Sequence, residues 1–515
     1  MRFLYTLGLL ALIVLWSSCR NDFDTLPSTG NLEFSRDTVY LDTVFSNIGS
    51  STYNLKVYNR SDEDISIPSV RLGQGENSFY RLNVNGSAGK TFSNVEILAK
   101  DSIFVFVETT IDVNSFPNNL QFLYTDAIEF DTGSNQQNVE LVTLVQDAVF
   151  LFPERFGDGT TETLNLGMDA EGNDVLIEGF FLDDDELNFT NEKPYVIYGY
   201  AAVPPTKTLT VDAGARVHFH ENSGLLVANQ ATIKANGALS ADPELLENEI
   251  IFQGDRLEPA FEDVPGQWGT IWLTAGSTAH EFNFTTIKNA VVGILMDSND
   301  GSNNPTLSLK NTQIYNSGNV GLLARTGNVD GENLVITNSG QSSLFLSLGG
   351  TYNFRHSTFG NYWNRSFRNF PAVVIDNSLQ VSETEIDVED LEANFSNCII
   401  YGSEAREFFL NAEPEAAFNF NFSNSLLRFE DPQGQFAGNP LFDFSNTTFY
   451  TNCVFNADPV FFNTQLNQLF ISNESAANGI GNPATAQQVP FDLLGTPRGN
   501  PSDAGAYESV VFPED

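Results

Sequence analysis

Asn311-Thr312-Gln313-Ile314-Tyr315-Asn316 is answered 22 residues later by Asn333-Leu334-Val335-Ile336-Thr337-Asn338. The frame is an asparagine, a large apolar residue three positions on and often a second asparagine two further. It also fits Asn397–Ile400, Asn424–Leu427 and Asn452–Phe455, with Phe284–Ile287–Asn289 and His356–Phe359–Asn361 as variants. The apolar positions Ile287, Ile314, Ile336, Phe359, Ile400, Leu427 and Phe455 are spaced by 27, 22, 23, 41, 27 and 28 residues. A period in the twenties built from short apolar runs predicts a solenoid, each coil burying its face on the next. Alternation in Leu307-Ser308-Leu309 and Phe418-Asn419-Phe420-Asn421-Phe422 is strand-like, with Asn, Ser and Gly at the turns. Stacked asparagines can bond one another and satisfy the turn backbone. A second phase recurs at Val292-Gly293-Ile294-Leu295, Val320-Gly321-Leu322-Leu323, Ser343-Leu344-Phe345-Leu346 and Ala372-Val373-Val374-Ile375.

These repeats resemble right-handed parallel β-helix proteins of the pectin-lyase-like class. Thr208-Leu209-Thr210-Val211-Asp212-Ala213-Gly214-Ala215-Arg216-Val217-His218-Phe219 resembles the first coil of bacterial surface β-helices. Gly266-Gln267-Trp268-Gly269-Thr270-Ile271 resembles a later Trp-Gly turn. The resemblance covers roughly residues 195–510. It implies an all-β fold but no one function, because the fold hosts lyases, hydrolases, adhesins and passive binders. Farther on, Gly438-Asn439-Pro440-Leu441-Phe442, Asp458-Pro459-Val460-Phe461, Asp492, Gly495, Arg498 and Asp503-Ala504-Gly505-Ala506-Tyr507-Glu508 resemble a choice-of-anchor C-terminal module. Its expected role is a cap over the exposed end of the solenoid.

The expected organisation is a signal peptide over 1–18, a tether over 19–30, an immunoglobulin-like β-sandwich over 31–147, a transition over 148–195, the β-helix over 196–470 and the cap over 471–515. The apolar run Phe3 to Trp16 is too short to span a bilayer. Ser17-Ser18-Cys19 resembles a lipobox, with Trp16 where the motif prefers Leu; the competing reading is an ordinary secretory signal. Lipid on Cys19 implies a bacterial outer-membrane location, with the acidic residues after it resembling a surface-export signal. In the sandwich segment, Asn54-Leu55-Lys56-Val57-Tyr58 and Ile103-Phe104-Val105-Phe106-Val107 alternate, and a spacer is the economical role.

Charge limits the partners. With 24 Lys and Arg against 66 Asp and Glu, the net charge of −42 repels nucleic acid and anionic lipid. The expected partners are an extracellular polysaccharide or a surface protein, met by a monomer held to the membrane through its lipid alone. Cys398 and Cys453 each follow a ladder asparagine two coils apart, about 9.6 Å, so two free buried thiols are expected.

The candidate site is a cluster of scarce cations. Arg355, His356, Arg365 and Arg368 surround Tyr362 and Trp363. The 41-residue interval then places Glu383, Glu385, Asp387 and Glu389 at strand spacing on one face. The arginines could neutralise a sugar carboxylate, the rings could stack on a pyranose, and the carboxylates could hold Ca²⁺. That set suits non-catalytic polysaccharide binding, or alternatively a Ca²⁺-dependent polyuronate lyase with Arg365 or Arg368 as base. The competing reading has His356 substituting for a ladder asparagine and the arginines pairing with acids. His218 and His220, expected outside on one strand face, would need a third metal ligand, with Glu221 the nearest candidate.

Overall fold

The computed structural model describes residues 25–116, 121–169, 171–243, 245–382 and 384–512. The predicted signal segment, Cys19, the first part of the tether and Glu383 lie outside the described residues. The chain is all-β and divides into two compact units between Asp147 and Ala148.

In the first unit a six-stranded and a five-stranded sheet bury their inner side chains in one core. Period two decides which residues enter it. Ser102–Thr109 buries Ile103, Val105 and Val107 and turns Phe104 and Phe106 outward. Its neighbour Tyr53–Tyr58 buries Leu55 and Val57 and turns out Asn54, Lys56 and Tyr58.

The second unit holds a 27-stranded sheet in which each repeat gives three short strands to three parallel tracks. The first track joins Val149 to Tyr195, Val217, Phe252 and Ile287, then to Ile314, Ile336, Phe359, Ile400, Leu427 and Phe455. Every apolar residue of the recurring frame therefore stacks on its counterpart. Residues 148–195, read as a transition, supply strands of the same sheet, from Val149–Leu151 onward. The second track runs from the end of Asp174–Phe181 through Tyr200–Val203 to Phe408–Asn411, and the third from Asn188–Phe189 through Thr208–Val211 to Tyr450–Thr451. Aromatic rings stack inside, as in Phe395 on Phe422 at 5.0 Å and Phe422 on Tyr450 at 5.8 Å.

The asparagine ladder has two causes. Asn311, Asn333, Asn397, Asn424 and Asn452 all have φ between +45° and +56°, the left-handed region that asparagine tolerates best after glycine. In the earlier coils the amides also bond along the stack: Asn311 donates to Asn283 Oδ1 at 3.0 Å and Asn333 to Asn311 Oδ1 at 2.9 Å, whereas Asn424 donates to the Ile480 carbonyl at 2.8 Å. Phe284 takes the left-handed position in its coil, at φ +43°, while its neighbour Asn283 supplies the acceptor. His356 stands in for asparagine, its Nε2 lying 2.8 Å from Asn397 Nδ2.

Cys398 and Cys453 are free, with Ser425 between them in register. Cys398 is buried and Cys453 half-buried; burial pushes their thiols up to about 12 and about 11.

The tail does something other than cap the end. It runs along the flank beside the ladder. Leu469, Leu493, Ala506 and Tyr507 pack on Val335, and Ile471, Ala477 and Ala504 on Ile399 and Leu426. Asn397 Oδ1 accepts from Asn482 N at 2.7 Å, and Arg498 donates to Asn333 Oδ1 at 2.7 Å. The closing motif folds this strap: Arg498 pairs with Glu508 at 3.0 Å, and Asp503 accepts from Gly479 N and Ser509 N at 2.7 Å each. At the C-terminal end of the sheet, Phe436, Phe442 and Phe444 continue the core beside Phe429 and Phe455.

Candidate functional site

The arginines expected to converge do not. Arg355 pairs with Asp330 at 2.7 Å and Glu332 at 3.4 Å on the outside of the third track. Arg368 is buried, donating to Glu407 Oε1 at 2.8 Å and Oε2 at 3.1 Å, to the Asn361 carbonyl at 2.9 Å and to Ser403 Oγ at 3.0 Å. It staples the 362–371 loop from beneath and cannot reach a polymer. Arg365 is exposed and donates to the Asp263 carbonyl at 2.7 Å. Tyr362 meets Phe461 of the strap edge-on, with ring centroids 6.0 Å apart, and Trp363 Nε1 donates to Ser366 Oγ at 2.9 Å. Tyr362, Trp363 and Arg365 share one cavity with Asp263, Asn338 and Gln465. At about 70 Å³ it has room for a few waters and not for a sugar ring.

The acidic insertion is a hairpin, Ser378–Ser382 paired with Glu385–Val388. Glu385, Asp387 and Glu389 are exposed on it, and among the described residues no three His, Cys, Asp or Glu side chains group to hold a metal ion. His218 departs from expectation. It is buried, with Nδ1 3.1 Å from the Gly254 carbonyl, whereas exposed His220 turns to Asp255 Oδ2 at 2.7 Å. Burial lowers His218 to about 4, and the Asp255 hydrogen bond raises His220.

A larger site lies on the second track. In Ile271–Leu273 the outer residues of the triplet enter the core, so alternation turns Trp272 outward. Thr163–Met168 and Asp174–Phe181 form a hairpin that leans on this face, with Leu164 packed against Tyr200, Ala202 and Leu226. Between hairpin and track lies a groove of about 530 Å³, lined by Leu164, Leu166, Phe181, Leu226, Ala228 and Trp272, with Glu162, Asn165, Asn229 and Asp297 among its polar groups. That volume is within the range of small-ligand sites. Trp272 Nε1 donates to Asp297 Oδ2 at 2.5 Å, and Arg325 holds Asp297 Oδ1 at 3.0 Å. The indole is thus fixed at its edge, and the carboxylate beside it is neutralised. From Trp272 the outward row continues in register through Leu295, Leu323, Phe345, Val374 and Phe409. The available signal was this Trp between two core-facing residues, directly after the Trp-Gly turn, but the hairpin wall comes from residues about 100 positions earlier.

No family model matches the chain, and no curated protein matches it. Among solved structures, a family 123 glycoside hydrolase from Clostridium perfringens aligns at 12% identity over 23% of this chain and 26% of its own, with a TM-score of 0.16. The chain thus spans about a quarter of that protein's length. The periplasmic chaperone SfaE aligns at 12% identity over 29% of this chain and 83% of its own, with a TM-score of 0.15.

Proposed function

We propose that this chain is a lipoprotein of the bacterial cell envelope, acylated at Cys19 and displayed at the outer-membrane surface, that binds extracellular polysaccharide without cleaving it. In this reading the first unit is an immunoglobulin-like β-sandwich and the second a right-handed parallel β-helix. The three parallel tracks support the second assignment, and the two sheets around one core support the first. Among the described residues no helix is long and apolar enough to cross a membrane.

The groove beside Trp272 carries the binding proposal. A fixed indole offers a face for a pyranose ring, while Asn165, Asn229 and Glu162 offer amide and carboxylate groups to hydroxyls. The outward row beyond Trp272, half-buried at Leu295, Leu323 and Phe345, gives a polymer a track along the next three coils. The preferred ligand is a neutral glycan, since Glu162 lines the groove and the chain carries a net charge of −42. The lyase alternative loses Arg368 as base to its buried pair with Glu407.

The test uses residues 25–515 with a panel of neutral and anionic polysaccharides plus Ca²⁺, following polymer retention and polymer length. Retention of a neutral glycan without shortening, weakened about tenfold or more by Trp272→Ala, is the expected result. Shortened polymer with unsaturated ends, or retention unaffected by Trp272→Ala, would overturn the reading.

A further inference from the structure

The first unit carries a surface that a spacer does not need. Phe104 and Phe106 stand two residues apart on one strand and so share the outward face of the five-stranded sheet. They are 45% and 38% exposed, with ring centroids 5.9 Å apart and planes 15° from parallel. Asn54 and Asn83 flank Phe106 on the two neighbouring strands, Asn54 exposed and Asn83 half-buried, with Asn83 Oδ1 enclosed and without a hydrogen-bond partner among the described residues. Lys56 lies opposite Phe104, its ammonium 5.3 Å from that ring and 5.3 Å from Tyr58.

The charge pattern names the ligand class. Arg60 on this face pairs with Glu33 at 2.9 Å, and Arg81 lies 3.8 Å from Glu108. Lys56 has no carboxylate within ion-pair distance among the described residues, in a chain where acids outnumber cations 66 to 24. A cation without a carboxylate partner amid such an excess of acid, beside two exposed, near-parallel rings and the Asn54 amide, is complementary to a sugar bearing a negative group. The exposed rings take the C–H face of a pyranose, the Asn54 amide takes a hydroxyl, and the ammonium takes the anion.

We propose that this face binds an anionic polysaccharide, one hexopyranose seated on Phe104 and Phe106 with its carboxylate or sulfate on Lys56. The site is independent of the Trp272 groove and does not rest on it.

The experiment measures retention of polygalacturonate, dextran sulfate and uncharged dextran by the chain from residue 25 onward. It is run at about 0.15 M salt, where a screening length of about 8 Å mutes long-range repulsion from the acidic surface. Expected is at least about tenfold tighter retention of one or both anionic polymers than of dextran, the polymer retained identifying carboxylate or sulfate. Phe104→Ala and Phe106→Ala should each weaken it about tenfold with an unchanged circular dichroism spectrum, both rings being exposed. Lys56→Gln should abolish the preference for charge and Lys56→Arg should keep it. Trp272→Ala should leave it intact, which separates this site from the groove. Equal retention of dextran and both anionic polymers would overturn the proposal. So would preference surviving Lys56→Gln, or loss on Trp272→Ala with none on Phe104→Ala.

Discussion

Replacing Asn397 by alanine tests whether the ladder contributes through side-chain bonds or only through backbone shape. Asn397 is fully buried at φ +56°. Its amide contacts His356 Nε2 at 2.8 Å and the Asn482 carbonyl at 3.2 Å, and its oxygen accepts from Asn482 N at 2.7 Å. Losing three bonds at about 1 kcal/mol each costs about 3 kcal/mol. Alanine in the left-handed region adds about 1 kcal/mol, for a total of about 4 kcal/mol. Asn452, at φ +51° but exposed, should cost only the backbone term, about 1 kcal/mol. The assay is hydrogen–deuterium exchange at the amides of Asn482 and of Gly505, which donates to the Asn397 carbonyl. A loss of about 4 kcal/mol raises the opening equilibrium about a thousandfold. Asn397→Gly should recover about 1 kcal/mol of it. Equal effects of Asn397→Ala and Asn452→Ala would refute the reasoning, leaving the ladder a consequence of turn geometry alone.

Acid should destabilise the second unit before it neutralises most carboxylates. Burial lowers His218 and His280 to about 4 and His356 to about 2, so below the ordinary histidine pKa the unfolded chain takes up protons first. Each of these histidines then withdraws about 2 kcal/mol of stability between pH 7 and pH 5. His220, raised by Asp255, acts in the opposite sense but is half exposed and weaker. A denaturation midpoint that does not fall between pH 7 and pH 5 would contradict this. Arg368→Met strands Glu407, whose carboxyl burial already holds above its ordinary range, and should cost about 3–5 kcal/mol. Adding Glu407→Gln should restore much of that, because glutamine still accepts from Ala372 N or Glu404 N. Chemical denaturation of the single and double variants decides it, an additive double being the adverse result.

The parts of the fold legible in sequence are those with local causes. Ile314 and Ile336 are visible because coil packing repeats every 20-odd residues, and Asn311 and Asn333 because a left-handed turn excludes most other side chains. The strap was visible as a motif but not as a place. Arg498 finds Asn333 across 165 residues, and no local pattern encodes that pairing. The arginine cluster failed for the same reason. Arg355, Arg365 and Arg368 are close in sequence, yet their partners, Asp330, Asp263 and Glu407, come from separate coils and draw the side chains apart. Trp272 was hidden because its meaning depends on the hairpin wall opposite.

The same long-range contacts select where a ligand can sit on the second unit. The first track's flank is taken by the strap, whose apolar residues cover Val335, Ile399 and Leu426. The third track's outer face neutralises itself through Lys234–Glu281 at 2.9 Å, Lys310–Glu332 at 2.5 Å and Arg355–Asp330 at 2.7 Å. These three carboxylates and three cations are therefore already engaged with each other. The second track is different: beyond the hairpin its outward row of Leu295, Leu323 and Phe345 is neither roofed by the strap nor charged. The three side chains are half-buried and leave apolar surface that a ligand could cover. With Trp272 and the groove at one end of that row, a ligand that begins on the indole and extends coil by coil would cover both.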